Sequence, residues 1–492
     1  MAKLLLGIDF GTSTNFVTKY DFKKKDAVPV ANMTNNHGNN ILDNCIYIAE
    51  QGKYTIGSRN KQHSEPENFF EDVKRFITDD NWNKEIPNLN NKKFSAQSIA
   101  EMVFETIRKK VEENENQKVD GVVITVPYAY GKKYRDRLRE ASENAGLTVL
   151  KLIEEPVAAA ISFGLFSDKV QNNQKEKICI FDLGGGTFDI TIFHFEKSNS
   201  QNANIEVLNT DGVEKLGGTT IDELLASKFL NWIGIEYSDL PNEKERTKLQ
   251  TMLNSIAKKT KEELSDGETD IYETLSINGK NYVLEKEEVT VDEFNSWLKD
   301  NNILGQIEDA LERVIYDINL EPEDIDRIIL VGGTSNIPII KQLVEDFFGK
   351  KTESKKALGE LVGHGAGIRA GFSEDKSLDY QITLKTSKNI GIAQGNRFKT
   401  ILSKNMKYGE ASAKIPLSLR NKNDNLVVSF YEGDSPRIED CEKIGKVTIN
   451  GTEFKNRKIY LSLTREEKSE EIRCYFYDNN KNLVSKIDLE DI

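Results

Sequence analysis

The sequence predicts a duplicated α/β unit followed by an all-β domain, and three observations carry that reading. Two apolar strands each run into an Asp, an apolar residue, glycine and hydroxyl residues, and then a second strand. They are Leu5-Leu6-Gly7-Ile8-Asp9-Phe10-Gly11-Thr12-Ser13-Thr14-Asn15 and Phe181-Asp182-Leu183-Gly184-Gly185-Gly186-Thr187-Phe188-Asp189-Ile190. The copies lie about 175 residues apart, which suggests an internal duplication. Helical and strand patterns alternate to about residue 373; beyond it, helical periodicity stops and short alternating strands take over.

Each glycine turn between two strands can take positive φ and leave N–H groups uncovered. Successive free N–H groups form a concavity that suits an anion, above all a phosphate. Asp182 and Asp189 flank one such turn and Asp9 the other. Carboxylates beside a phosphate repel it unless a hard cation stands between them, and Mg²⁺ held largely through its waters is the expected one. Facing each other, the two hairpins could hold the phosphates of one nucleotide. The plain alternative for either stretch is an ordinary glycine hairpin with solvated acids.

At 492 residues, a prior of roughly 150 per domain suggests about three domains. There are 80 acidic and 67 basic residues, a net charge of −13, which argues against nucleic acid as the main ligand. Four cysteines, Cys45, Cys179, Cys441 and Cys474, lie far apart without a CxxC pair, so neither a zinc site nor a disulfide framework is expected. No apolar run reaches membrane-spanning length, and the start runs into the first hairpin without a signal-peptide pattern. A reducing cytoplasm is the expected compartment, with no membrane partner.

In chain order, Asn44 to Ala49 reads as a strand after an Asn-rich region. In the segment Phe69 to Ile77, Lys74 could be a surface charge with its stem on the aromatics, which local sequence favours. It could also point into a phosphate cleft. Residues 96–114 read as an amphipathic helix, 119–127 as a buried strand ended by Pro127, and 132–145 as a helix closed by Gly146. Strand 148–153 leads to Glu154-Glu155-Pro156, a helix start whose carboxylates suit the dipole; Glu155 could instead face the cleft and polarise a water. Gly217-Gly218, before helix 219–233, is either a plain turn or a place where backbone approaches a phosphate. Helices are expected over 242–264 and 301–318, with strands between. Strand 325–331 running into Gly332-Gly333-Thr334 is a further nucleotide-site signal, for ribose and base. Helix 360–372, with its small residues, is expected to pack against that site. A polar segment follows to residue 388, and then eight strands at 389–393, 397–402, 414–419, 426–432, 445–449, 458–464, 471–477 and 483–489, a sandwich of roughly a hundred residues.

The order of these pieces resembles the seventy-kilodalton heat-shock protein family, the DnaK-type chaperones. The resemblance runs along nearly the whole chain and rests on GIDFGTSTN, Lys74-Arg75, ITVPYAY, IEEPVAAAISFGL, FDLGGGTFDI, KLGG and LVGGTSNIP, in family order. It implies an actin-like ATPase fold, two lobes around a cleft, over residues 1–373. A linker over 374–388 and a peptide-binding β-sandwich over 389–492 would follow. It implies ATP as substrate, Mg²⁺ with K⁺ as companion ions, unfolded or extended peptide as client, and a J-domain co-chaperone and a nucleotide-exchange factor as partners.

Residue by residue, Gly11, Thr12, Ser13 and Thr14 match the first phosphate loop. Gly184, Gly185, Gly186, Thr187, Gly217 and Gly218 match further phosphate contacts. Asp9, Asp182 and Asp189 match the carboxylates around the metal. Lys74, Glu155, Asp182 and Thr187 match the group that positions the attacking water. Lys261, Ser265, Gly332, Gly333 and Thr334 match adenosine contacts, and Pro127 and Arg135 a proline switch with its arginine. Ile392 and Leu426 are the choices for the peptide pocket. Glu262 and Asn336 stand where the family often has basic residues beside the adenine, and the linker, Leu378 to Leu384, lacks the usual leucine-rich run. The end at Ile492 implies a form without the family's helical lid. Rival readings are a nucleotide-sensing scaffold with little catalysis, an actin-like filament protein and a sugar kinase.

Overall fold

The computed structural model describes residues 2–33, 40–49, 53–59, 62, 65, 68–86, 94–128, 130–166, 174–199, 202–353, 358–375, 379–418, 425–454, 458–466 and 471–489. Leu378 of the expected linker and much of the Asn-rich region lie outside them. The chain forms two compact units: Met1–Tyr130, Tyr134–Ala203 and Asp211–Tyr380 make one; Gly131–Lys133, Asn204–Thr210 and Gln381–Ile492 make the other.

The first unit repeats one plan. Strands Leu5–Phe10 and Thr14–Asp21 form an antiparallel hairpin with Asp9 opposite Phe16. Leu5–Phe10 also pairs in parallel with Gly121–Val126. In the second half, Gln174–Leu183 and Phe188–Asn199 form the hairpin, with Asp182 opposite Asp189. Its parallel neighbour is Arg327–Val331. Gly121–Val126 is buried at every position, as a parallel strand covered on both faces must be, and so reads as an unbroken apolar run. The first sheet closes over a core in which Phe10 and Phe104 stack at 4.8 Å.

Helices Glu155–Phe166 and Leu358–Gly371 pack on each other; the latter also covers the first hairpin, while the former reaches the strands of the second. This corrects one expectation. The small residues of Leu358–Gly371 serve contacts with the first sheet and with helix Glu155–Phe166 more than with the Gly332–Gly333 turn. A Cβ on Gly367 would lie 2.3 Å from Thr18 Oγ1, and one on Gly365 1.8 Å from Ala158 O. The helix expected over 301–318 is Ile303–Tyr316, and a further helix, Val291–Asp300, stands just before it. The earlier of them starts on a Thr290–Glu293 capping box. Asp379–Thr383 is a strand within the stretch read as linker.

Among the described residues, the second unit contains two four-stranded antiparallel sheets. One runs Arg397–Leu402, Ile390–Gln394, Asn425–Glu432, Glu442–Asn450; the other runs Ile415–Ser418, Lys458–Arg465, Ile472–Tyr477, Leu483–Asp488. Their inner faces supply a core that includes Phe430, Ile449, Leu461 and Phe476. Each expected strand of this region has a counterpart here, because period-two burial is a local signal: Val447 and Ile449 point in while Lys446 and Thr448 point out.

Candidate nucleotide site

The two glycine turns meet. A Cβ on Gly185 would lie 2.9 Å from Ser13 Oγ, and one on Gly186 2.6 Å from Thr12 Oγ1. A side chain on the second turn would therefore have to displace Ser13 or Thr12. Two further segments brace the same turn. The Gly218 N–H donates to Gly184 O at 3.0 Å and the Thr219 N–H to Gly185 O at 2.7 Å. These donors at the start of helix Gly218–Ile233 are spent on the turn rather than left open to an anion. Thr334 Oγ1 donates to Gly184 O at 2.8 Å. Gly332 has φ 82°, and a Cβ there would lie 2.3 Å from Leu183 O. Three glycine segments from distant parts of the chain thus lock one phosphate-sized turn in place.

Lys74 is reached from the strand Phe69–Glu71. Asp72 takes the left-handed conformation at φ 58° and opens the 3₁₀ turn Val73–Phe76, which sends Lys74 inward. Arg75 turns outward and pairs with Glu223 at 2.6 Å. Lys74 is 3% exposed, and its Nζ lies 2.6 Å from Glu155 Oε1. The surface placement that local sequence favoured is overturned, because the partner lies 81 residues away on the first turn of helix Glu155–Phe166.

Asp9 is the last residue but one of the strand Leu5–Phe10 and accepts from Thr125 Oγ1 at 2.8 Å. Burial, then the charge of Glu155, push its carboxyl up to about 7, against Lys74 and the Thr125 hydrogen bond. Asp182 is held well above the ordinary carboxylate range by burial and then by Glu155, Asp189 and Asp9. Four acids around one lysine are mutually unfavourable unless a cation joins them. Among the described residues, no three acids, thiols or imidazoles converge closely enough to ligate a metal directly. The charged oxygen donors beside the glycine turns, Asp9, Glu155 and Asp182, are carboxylates, which suit a hard cation such as Mg²⁺.

These groups line a cleft of ≈ 360 Å³. It is faced by Asp9, Gly11, Thr12, Ser13, Thr14, Lys74, Glu155, Asp182, Gly184, Gly185, Thr187, Gly218, Lys261, Ser265, Gly332, Gly333 and Thr334. Gly186, Gly217 and Asp189 are outside that lining. Gly186 and Gly217 are closely packed, since a Cβ on Gly186 would lie 2.6 Å from Thr12 Oγ1 and one on Gly217 2.8 Å from the Gly185 carbonyl. Asp189 lies opposite Asp182 on the neighbouring strand and is 1% exposed.

Sequence reasoning missed Asp222, which faces the cleft and pairs with Lys261 at 2.7 Å. Its spacing of four from Gly218 was the available signal: the two share a helix face. Lys258 and Glu262 also face the cleft from the helix Glu243–Leu264.

The remaining expected residues lie elsewhere. Arg135 Nη2 meets Glu154 Oε1 at 2.8 Å, both buried, one residue before Glu155. Pro127 follows the strand Gly121–Val126, and its carbonyl accepts from Tyr130 N–H at 3.3 Å. Ile392 and Leu426 are half-buried on the core side of one sandwich sheet, with Ile392 opposite Phe430 and Leu426 opposite Ile449.

Known proteins are similar to this chain in sequence. A family model described as Hsp70 protein matches residues 5–460. The chaperone protein DnaK of Thermotoga neapolitana is 29% identical over 463 residues, covering 91% of this chain and 74% of its own. Chaperone protein DnaK of Methanothermobacter thermautotrophicus is 28% identical over 463 residues, covering 91% and 73%. That of Mycoplasmopsis agalactiae is 26% identical over 475 residues, covering 93% and 74%. The chain belongs to the Hsp70 family, with the actin-like ATPase fold and β-sandwich that its sequence predicted.

Proposed function

We propose that the chain is an ATP-hydrolysing chaperone: its nucleotide domain, residues 1–373, turns over Mg·ATP, and its sandwich, residues 389–492, holds extended, unfolded peptide. The observation that carries this reading is the meeting of the two glycine turns above a buried Lys74–Glu155 pair, with Asp9 and Asp182 alongside.

The phosphates would lie between Gly11–Thr14 and Gly184–Thr187, and the nucleoside toward Lys261, Ser265 and Gly332–Thr334. Asp9, Asp182 and Asp189 would hold the hydrated Mg²⁺, with K⁺ nearby, and that ion supplies charge neutralisation when bound. Lys74 donates to the γ-phosphate, where negative charge is concentrated. Glu155 and Asp182 accept from the attacking water and aim it in line, and the Thr187 hydroxyl adds a further contact. Catalysis is then a matter of positioning and charge stabilisation, as phosphoryl transfer requires.

Closure around ATP would be read through Pro127 and Arg135 and passed by the 374–388 segment to the sandwich. The sandwich would bind peptide along its backbone with apolar contacts at Ile392 and Leu426. A J-domain partner and an exchange factor would set the rate of the cycle, and the cytoplasm would be its place.

ATP turnover measured with and without an unfolded peptide tests both halves. Mg²⁺-dependent turnover stimulated by peptide is expected. No binding of ATP would end the reading, and turnover indifferent to peptide would end the coupling.

A further inference from the structure

The helix Leu358–Gly371 crosses the helix Glu155–Phe166 backbone to backbone, beside the acids of the cleft. A Cβ on Gly365 would stand 1.8 Å from Ala158 O, and one on Gly363 would stand 3.3 Å from Asp9 Cβ. One helix thus rests against Asp9, and the other carries Glu155 in its first turn.

His364 spans this crossing. Its Nδ1 lies 2.9 Å from Ser162 Oγ on the other helix. Its Nε2 lies 3.0 Å from Asp26 Oδ1, on the edge strand Asp26–Pro29 of the first sheet. A carboxylate can only accept, so Nε2 carries the ring hydrogen and donates to Asp26. In the neutral ring, Nδ1 then accepts from the Ser162 hydroxyl. Ser162 follows Glu155 by two helical turns, so both side chains leave the same face of the helix.

Serine, histidine and aspartate in this order are also the parts of a hydrolytic triad. Burial excludes that use. Ser162 is 1% exposed and does not face the cleft, so no substrate carbonyl can come within attacking distance.

We propose that Ser162, His364 and Asp26 form a positioning link for hydrolysis. It ties the helix that carries Glu155 to the sheet that carries Asp9, and so fixes Glu155 against Lys74 and the attacking water. The inference rests on the nucleotide reading above. None of the three residues touches a reacting atom; each acts through Glu155.

The test compares kcat, KM, affinity for a fluorescent N-methylanthraniloyl ADP and melting temperature in H364A, H364Q, S162A and H364A/S162A. Misplacing a catalytic group by a fraction of an ångström costs rate rather than ground-state binding. H364A is therefore expected to lower kcat roughly tenfold with KM and ADP affinity within about twofold. The double variant should be no slower than H364A, since one link is already broken. H364Q, which keeps a donor and an acceptor, should recover most of kcat. Should H364A fold poorly, S162A removes one contact alone and carries the same comparison.

Unchanged kcat in H364A and S162A well below their melting temperatures overturns the proposal. So does a parallel loss of kcat and ADP affinity, or an additive double variant. Failure of the unaltered chain to bind the labelled ADP would take down the nucleotide reading and this proposal with it; the other failures leave that reading standing.

Discussion

Lys74 Nζ lies 2.6 Å from Glu155 Oε1, with the side chains 3% and 9% exposed. Removing one partner of such a pair strands the other in a poor dielectric. Lys74→Ala should therefore lower unfolding free energy by about 3–5 kcal/mol and slow turnover roughly 10²–10³-fold. Adding Glu155→Gln should restore most of the stability and none of the rate. Urea unfolding beside an ATPase assay separates the two, and a double variant as unstable as Lys74→Ala would show that the pair is not the cause.

Thr187 faces the cleft with its hydroxyl, while its carbonyl accepts from Gly184 N–H at 3.1 Å. Thr187→Ala keeps that backbone bond and the turn. Turnover should fall roughly 10²-fold with nucleotide affinity unchanged. A comparable fall in affinity, by titration calorimetry, would mean that the hydroxyl serves binding instead.

Asp9, pushed up to about 7, and Asp182, held well above the ordinary carboxylate range by burial, keep protons that a cation must displace. Mg·ADP should bind more tightly as pH rises from about 6 to 8 and release protons on binding. Without Mg²⁺ this pH dependence should shrink, and Asp9→Asn should flatten it. Calorimetry in buffers of different ionisation enthalpy counts the protons; a count of zero at pH 6 would contradict the reading.

Asp72 is pushed up to about 6 by burial and then by Glu71. Its folded pKa exceeds the unfolded value, so its contribution to stability is complete below about pH 4 and is lost as pH rises through 6. Asn tolerates the φ of 58° at this position. Asp72→Asn should exceed the parent in stability at pH 7.5, by up to about 2–3 kcal/mol, and match it at pH 4. Equal stability at both pH values would remove the strain assigned to this carboxyl.

A Cβ at Gly365 would stand 1.8 Å from a backbone oxygen, whereas one at Gly333 meets nothing within 4 Å. Gly365→Ala should cost at least about 1–3 kcal/mol, because backbone cannot swing aside as a side chain can. Gly333→Ala should be nearly neutral. Chemical denaturation of the two variants makes the comparison directly.

Much of the fold is legible along the chain because its signals are local. Apolar strands bounded by Asp and glycine mark both hairpins, and period-two alternation marks the sandwich strands from Ile390 to Asp488. The helix Val291–Asp300 was not legible, since it is short and buries only Phe294 and Leu298. The strand Asp379–Thr383 is polar enough to pass for linker, and an edge position rather than its own hydropathy allows it to be a strand.

By itself the sequence determined the duplicated hairpins, the acids beside their turns and the change to an all-β domain, since each is written in residues within a few positions of one another. Tertiary structure alone decided that Lys74 is buried against Glu155, that Asp222 holds Lys261, that Gly217 packs on the Gly185 backbone, and that His364 joins Ser162 to Asp26. The reason is physical: whether a charged or polar side chain stays in water depends on the partner that folding brings to it, and here those partners come from distant parts of the chain.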